Sequence, residues 1–330
     1  MRNLKVLEKV IDKEVHIPSN LNGKKICFID IETTGLNKSF DTIYLIGLVF
    51  FDDSLKNWKI KQLFAEELIE EVDILLEAYN ILSKFDVIVN YNGTSFDIPF
   101  INNKLFYYKT NLSIDIHLSL DLYKVIKSNK NILPLKNLKL KTIEEYLGIY
   151  REDNCTGKEC IYFYYDYLVT KNKLTEEKIL LHNYKDLYYL LDVINILNIL
   201  ESKKSFIINH NNHDNWFCFD NIHLIKDYLY INGNVKNNNL GKIIYFADNY
   251  KVIITKENTF EISLEVIEGM VTPTKKCLFI KALDYGLPKY KYSNDEFNIP
   301  KGLILLEVEK RYYIENIKMV ISDLIDKFLN

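Results

Sequence analysis

Two acids at the end of an apolar run constrain this chain more than any other feature. Residues 25–31 read as a buried strand with apolar side chains on both faces, and the run ends in Asp30-Ile31-Glu32-Thr33-Thr34-Gly35. Side chains alternate along a strand, so Asp30 and Glu32 point the same way. Two like charges on one face of a core sheet repel each other and resist desolvation. Either both reach solvent at the strand end, or a divalent cation compensates them, because hard cations take oxygen ligands.

A second signal follows another apolar run. Residues 87–91 read as a short strand, and Asn92-Gly93-Thr94-Ser95-Phe96-Asp97-Ile98-Pro99-Phe100 reads as a turn that opens a helix. Asp is a favoured helix N-cap and Pro suits the first turn, so capping is one role for Asp97 and metal binding another. A third signal is His182-Asn183-Tyr184-Lys185-Asp186. Positions i and i+4 share a helix face, so His182 and Asp186 project together. Leu187, Leu190, Ile194 and Leu197 form the stripe that anchors that helix. Tyr188 and Asp192 repeat the spacing farther along, leaving Asp192 as the alternative to Asp186.

The rest of the pattern suits an α/β fold with a mixed sheet. Strands are expected at 25–31, 43–51, 58–64, 87–91 and 113–117. Helices are expected at 66–85, 97–107, 120–127, 140–147, 157–168 and 175–201. The first three strands have links too short for helical crossovers and form an antiparallel meander, with later strands added by crossover. The Asn-rich stretch 209–215 marks a boundary. Residues 1–20 are then an N-terminal extension, 21–205 the first domain, and 206–330 a small α+β domain. In that last domain strands are expected at 242–246, 251–255, 259–266, 278–280 and 303–308. Ile314, Ile317, Ile321, Leu324 and Phe328 share one face of a closing helix.

Length and charge limit the remaining options. With 330 residues the chain has room for about two domains. No apolar stretch approaches the roughly 18–20 residues of a membrane helix, and residues 1–20 lack the apolar run of a signal peptide, so a cytoplasmic protein without a membrane partner is expected. The five cysteines are scattered without paired spacing and read as free thiols of a reducing compartment. His210, His213 and His223, with Cys218 between, match no standard zinc spacing. Net charge is −3, and 39 of the 42 basic residues are Lys. A broad attraction to polyanions is therefore not expected, but Lys124, Lys127, Lys130, Lys136, Lys139 and Lys141 gather around one acid, Asp121. That segment is either a phosphate-contacting surface or a solvated one. The aromatics Tyr162, Phe163, Tyr164, Tyr165 and Tyr167 are either base-stacking groups or, more simply, a helix face that is buried.

Taken together, the order DxE, D, HxxxD resembles the DEDD superfamily of 3′–5′ exonucleases, which have a ribonuclease-H-like fold. Asp30 and Glu32 lie in a first motif of DxETTG form, residues 92–97 are similar to the second motif, and residues 182–186 to the third. The chain most resembles the bacterial YprB-like proteins over residues 21–201. Its HxxxD combines the histidine of one branch of the superfamily with the spacing of the tyrosine branch.

The resemblance implies a two-metal phosphodiesterase with Asp30, Glu32, Asp97 and Asp186 as ligands to two Mg²⁺ or Mn²⁺ ions. Such pairs stabilise both the attacking and leaving oxygens of an in-line displacement. His182 is implied to orient or deprotonate the attacking water, a role that suits neutral imidazole. Thr34, Leu36 and Asn92 are implied beside the terminal nucleotide of a single-stranded or 3′-ended DNA or RNA, and Lys139 and Lys141 of the lysine-rich segment are the candidates for its backbone. The alternative is a nucleic-acid-binding or scaffold protein with a catalytically silent fold of this kind.

Overall fold

The computed structural model describes residues 4–151, 155–288 and 296–329. Its contacts divide the chain near Ile196 and Leu197, with Asn129–Pro134 grouped with the second unit. The first unit is the expected α/β mixed sheet. Its strands are β1 (Lys5–Ile11), β2 (Ile26–Thr33), β3 (Ile43–Asp52), β4 (Asn57–Phe64), β5 (Val87–Asn90) and β6 (Ser119–Asp121), in the order β1-β4-β3-β2-β5-β6. β2, β3 and β4 form the antiparallel meander, and β5 and β6 add in parallel. Cys27, Phe28 and Ile29 are buried on both faces of β2, which is why that segment reads as a continuous apolar run.

Residues 5–11 fall within the segment read as an N-terminal extension. They pair along their whole length with β4 and form an edge of the sheet. Only Ile11 of this strand is buried, so its pattern carries no apolar alternation for a sequence reading to detect. The strand expected at 113–117 forms instead at Ser119–Asp121.

The helices of this unit are α1 (Glu71–Leu82), α2 (Asp97–Tyr107), α3 (Leu122–Ser128), α4 (Leu140–Tyr146), α5 (Gly157–Thr170) and α6 (Lys173–Val193). Thr156 and Glu159 start α5 with a reciprocal capping box. Asn172 caps α6. α6 packs on β2, β3 and β4 through fully buried residues such as Leu187. Each such side chain contributes about 1.5–3 kcal/mol of burial. The helix expected to continue to 201 breaks at Ile194 and Asn195, and α7 (Ile196–Lys204) follows.

The second unit holds two antiparallel sheets and a closing helix. Strands β7 (Ser205–His210), β8 (His213–Ile225), β9 (Tyr228–Lys236), β10 (Ile243–Phe246), β11 (Tyr250–Ile254) and β12 (Thr259–Glu265) make one sheet. β13 (Ile267–Thr272), β14 (Lys275–Lys281), β15 (Leu303–Val308) and β16 (Arg311–Tyr312) make the other, and α8 (Ile314–Leu329) closes the chain. The Asn-rich stretch is a two-residue hairpin turn between β7 and β8. Asn211 and Asn212 both take left-handed φ values of 51° and 62°, which Asn tolerates better than most residues. Contacts group the residues from Leu197 onward, this hairpin among them, with the second unit. No helix among the described residues is long and apolar enough to cross a membrane.

Candidate active site

The last residues of β2 deliver the first two acids. Asp30 pairs across the sheet with Gly47 of β3, and Glu32 with Leu45. Both carboxylates face α6, where Asn183 is fully buried and donates its amide to Asp30 Oδ2 at 2.8 Å. Gln62 of β4 donates to Asn183 Oδ1 at 2.8 Å and to the Leu180 carbonyl at 2.9 Å. A Cβ at position 47 would overlap the Asn183 amide and Leu187, so glycine there opens the path from Asn183 to Asp30. Gly47, Gln62 and Asn183 thus position Asp30 from three separate elements.

The third acid arrives from β5 and its turn. Asn92 takes a left-handed φ of 70°, and its N–H donates to Asp121 Oδ1 at 2.9 Å. The other Asp121 oxygen accepts from the N–H and hydroxyl of Thr94. Asp121 sits beside Asn90 at the end of β6, so this acid braces the turn. Sequence reading sees it only as the one acid among lysines. Asp97 is the first residue of α2 and is buried, and the N-cap position belongs to Phe96, which makes no side-chain capping bond. Capping therefore does not account for Asp97.

The fourth acid and the histidine share a face of α6. His182 Nε2 lies 3.6 Å from Asp186 Oδ2 and 3.7 Å from Glu32 Oε1. Asp192 is turned elsewhere and pairs with Lys13 at 2.5 Å. The structure thus brings Asp30, Glu32, Asp97, His182 and Asp186 into one electrostatic cluster and leaves Asp192 out of it.

The cluster is strained by its own charge. Burial first, and then the neighbouring Asp186, Glu32 and Asp97, push the Asp30 carboxyl well above the usual carboxylate range, while Asn183 pulls it back. Burial, then Asp186 and Asp97, push Glu32 up as well. Burial is the chief reason Asp97 is pushed up to about 7. Four acids that offer only oxygen are a donor set for hard divalent cations, so Mg²⁺ or Mn²⁺ fits these residues.

Arg151 is the cation the site already has. Its guanidinium donates to Asp186 Oδ1 at 2.6 Å, and its Nε donates to the fully buried Glu144 of α4 at 2.8 Å. Sequence reading missed this residue. The signal that marks it is rarity, because it is one of three arginines in a lysine-rich chain.

Around the cluster, Thr34 is buried and its hydroxyl accepts from the Thr42 N–H, while Leu36 is 80% exposed. Lys139 and Lys141 are exposed at the start of α4. Tyr164 and Tyr167 are buried against Tyr44 and Phe64, so of the aromatic cluster Tyr162 and Tyr165 alone are open to solvent. His210 and His213 face each other beside the β7–β8 turn, whereas His223 stacks on Tyr230, and they form no shared ligand group among the described residues.

Comparison with known proteins gives a family for the first unit. A model of the ribonuclease H superfamily (RNase_H_2) matches residues 27–198, about half of the chain. No curated protein matches by sequence. Among solved structures, the family B DNA polymerase of the hyperthermophilic archaeon Pyrobaculum calidifontis is similar over 61% of this chain and 29% of its own, with 14% identity and a TM-score of 0.45. An exonuclease I structure is similar over 63% of this chain and 55% of its own, with 14% identity and a TM-score of 0.31. Escherichia coli exonuclease I in complex with a 5cy-dT13 oligonucleotide is similar over 63% and 54%, with 13% identity and a TM-score of 0.30. The chain spans under a third of the polymerase and little more than half of the exonucleases.

Proposed function

The chain belongs to the ribonuclease H superfamily, and from that premise we propose that it is a metal-dependent 3′–5′ exonuclease acting on single-stranded DNA or RNA in the cytoplasm. The observation that carries this reading is the convergence of Asp30, Glu32, Asp97 and Asp186 with His182 on one cluster. The motifs themselves support a YprB-like member of the DEDD group.

Asp30, Glu32, Asp97 and Asp186 are the residues that would hold two divalent cations, Mg²⁺ or Mn²⁺. Bound there, the cations would supply charge stabilisation to the attacking and leaving oxygens of a phosphodiester. The protein does the rest. Asn183 and Gln62 fix the Asp30 carboxylate, so the ligand is positioned before substrate arrives. His182 accepts the proton of the attacking water, from a place within 4 Å of the Glu32 and Asp186 carboxyl groups. Arg151 offsets part of the acidic charge at Asp186 and fixes the direction of that carboxylate. Thr34, Leu36 and Asn92 border the terminal nucleotide, and Lys139 and Lys141 contact backbone phosphates as point charges, reading no sequence.

The test is hydrolysis of 5′-end-labelled single-stranded DNA and RNA in Mg²⁺ or Mn²⁺. Cleavage is expected to stop in EDTA and in Asp30→Ala. Full activity in either condition overturns the proposal.

A further inference from the structure

Three soft ligands meet behind the acidic cluster, and the chemistry proposed above uses only one of them. Cys155 and Cys160 are buried, and their Sγ atoms lie 3.4 Å apart. One ring nitrogen of His182 and both sulfurs fall within 4.8 Å of one another. Cys155 precedes the capping box of α5 and Cys160 lies in its first turn, while His182 comes from α6, which packs against α5. The convergence is therefore tertiary. It is invisible in the spacing of the cysteines.

We propose that Cys155, Cys160 and His182 form a binding site for a soft divalent cation, Zn²⁺ being the best match, beside the four acids and sharing His182 with their cluster. Thiolates select zinc over magnesium, and imidazole suits it as a third ligand. Two thiolates on a tetrahedral zinc with bonds of about 2.3 Å sit roughly 3.8 Å apart, so the observed sulfurs need to move only a few tenths of an ångström. A disulfide would need them at about 2.05 Å.

The surroundings also point to a ligand. The hydroxyl of Tyr44 is fully buried and has no hydrogen-bond partner among the described residues. Glu32, Cys160 and Cys155 are among the groups that act on it electrostatically. Binding releases the two thiol protons to solvent and leaves the fourth position to water, as in zinc sites with three protein ligands.

This inference does not depend on the exonuclease reading. Only its consequence does: zinc on His182 takes the imidazole lone pair that the water-activating step needs, so zinc opposes that step.

Co²⁺ added to the full-length protein in a non-thiol reductant tests the site, because cobalt on thiolates gives an intense near-ultraviolet charge-transfer band that oxygen ligands do not. The band is expected in the wild-type protein, bleached by one equivalent of Zn²⁺ and indifferent to excess Mg²⁺. It is expected to persist in Asp186→Asn and to vanish in Cys155→Ser with Cys160→Ser. Absence of the band at saturating Co²⁺, or its survival in the double variant, overturns the proposal. If the double variant does not fold, His182→Ala carries the test, with at least a tenfold loss of Co²⁺ affinity expected and an unchanged affinity contradicting the site. A cobalt band in a protein that shows no nuclease activity in Mg²⁺ before any cobalt is added would count against the exonuclease reading alone.

Discussion

Arg151 donates to Asp186 at 2.6 Å while its Nε holds the buried Glu144 at 2.8 Å. One guanidinium thus ties α4 to the acidic face of α6. Its side chain is 8% exposed, so the pair is not a surface ion pair of little worth. Arg151→Ala is expected to destabilise the protein by about 3 kcal/mol, the scale for losing one partner of a buried pair. Chemical denaturation with the slope held in common measures it, and a loss under about 1 kcal/mol would mean that α4 is held by other contacts.

Gly47 makes room for the Asn183 amide. Gly47→Ala is expected to cost about 1–3 kcal/mol by overpacking. It is also expected to lower kcat well before the protein unfolds, because the displaced amide no longer fixes Asp30. Steady-state kinetics at a temperature where the variant is folded separates the two effects. Wild-type kcat would show that Asp30 does not need Asn183.

The two candidate acids on α6 make opposite predictions. Asp186→Asn is expected to lower hydrolysis by several orders of magnitude with the fold retained. Asp192→Asn removes only a partly exposed pair with Lys13, so it is expected to leave the rate unchanged and to cost under about 1 kcal/mol. Comparable losses in the two variants would place the third motif one step later.

Much of this site was legible because its acids follow strong periodic patterns. The apolar run of β2 and the stripe of α6 fixed where Asp30, Glu32, His182 and Asp186 had to lie. β1 was not legible, since an edge strand with Ile11 as its one buried residue shows no alternation. β7 and β8 were hidden by the polar turn residues that join them, because left-handed Asn211 and Asn212 read as a loop. Arg151, Gly47 and the Cys155–Cys160 pair depend on tertiary approach, which no local pattern encodes.

Raised carboxyl pKa values make stability depend on pH. Asp97 is held at about 7 in the fold but ionises near 3.8 when free, so between those values the native state binds the extra proton. Stability of the metal-free protein is therefore expected to fall as pH rises from about 4 to about 7, and the raised Asp30 and Glu32 act in the same direction. Thermal unfolding in EDTA should show a drop of several degrees across this window. Mn²⁺ should reverse it at neutral pH, because ligands must lose their protons to bind. A melting temperature that rises with pH in EDTA would mean that the cluster is already neutralised by other groups.

The central claim is that this acidic cluster removes nucleotides from a 3′ end. A matched pair of single-stranded oligonucleotides, one linear with a 5′ label and one closed into a circle, tests it most directly in Mn²⁺. A ladder shortening stepwise from the linear strand, an intact circle, and no ladder with Asp30→Ala are expected. Cutting of the circle, or an untouched linear strand, would contradict it.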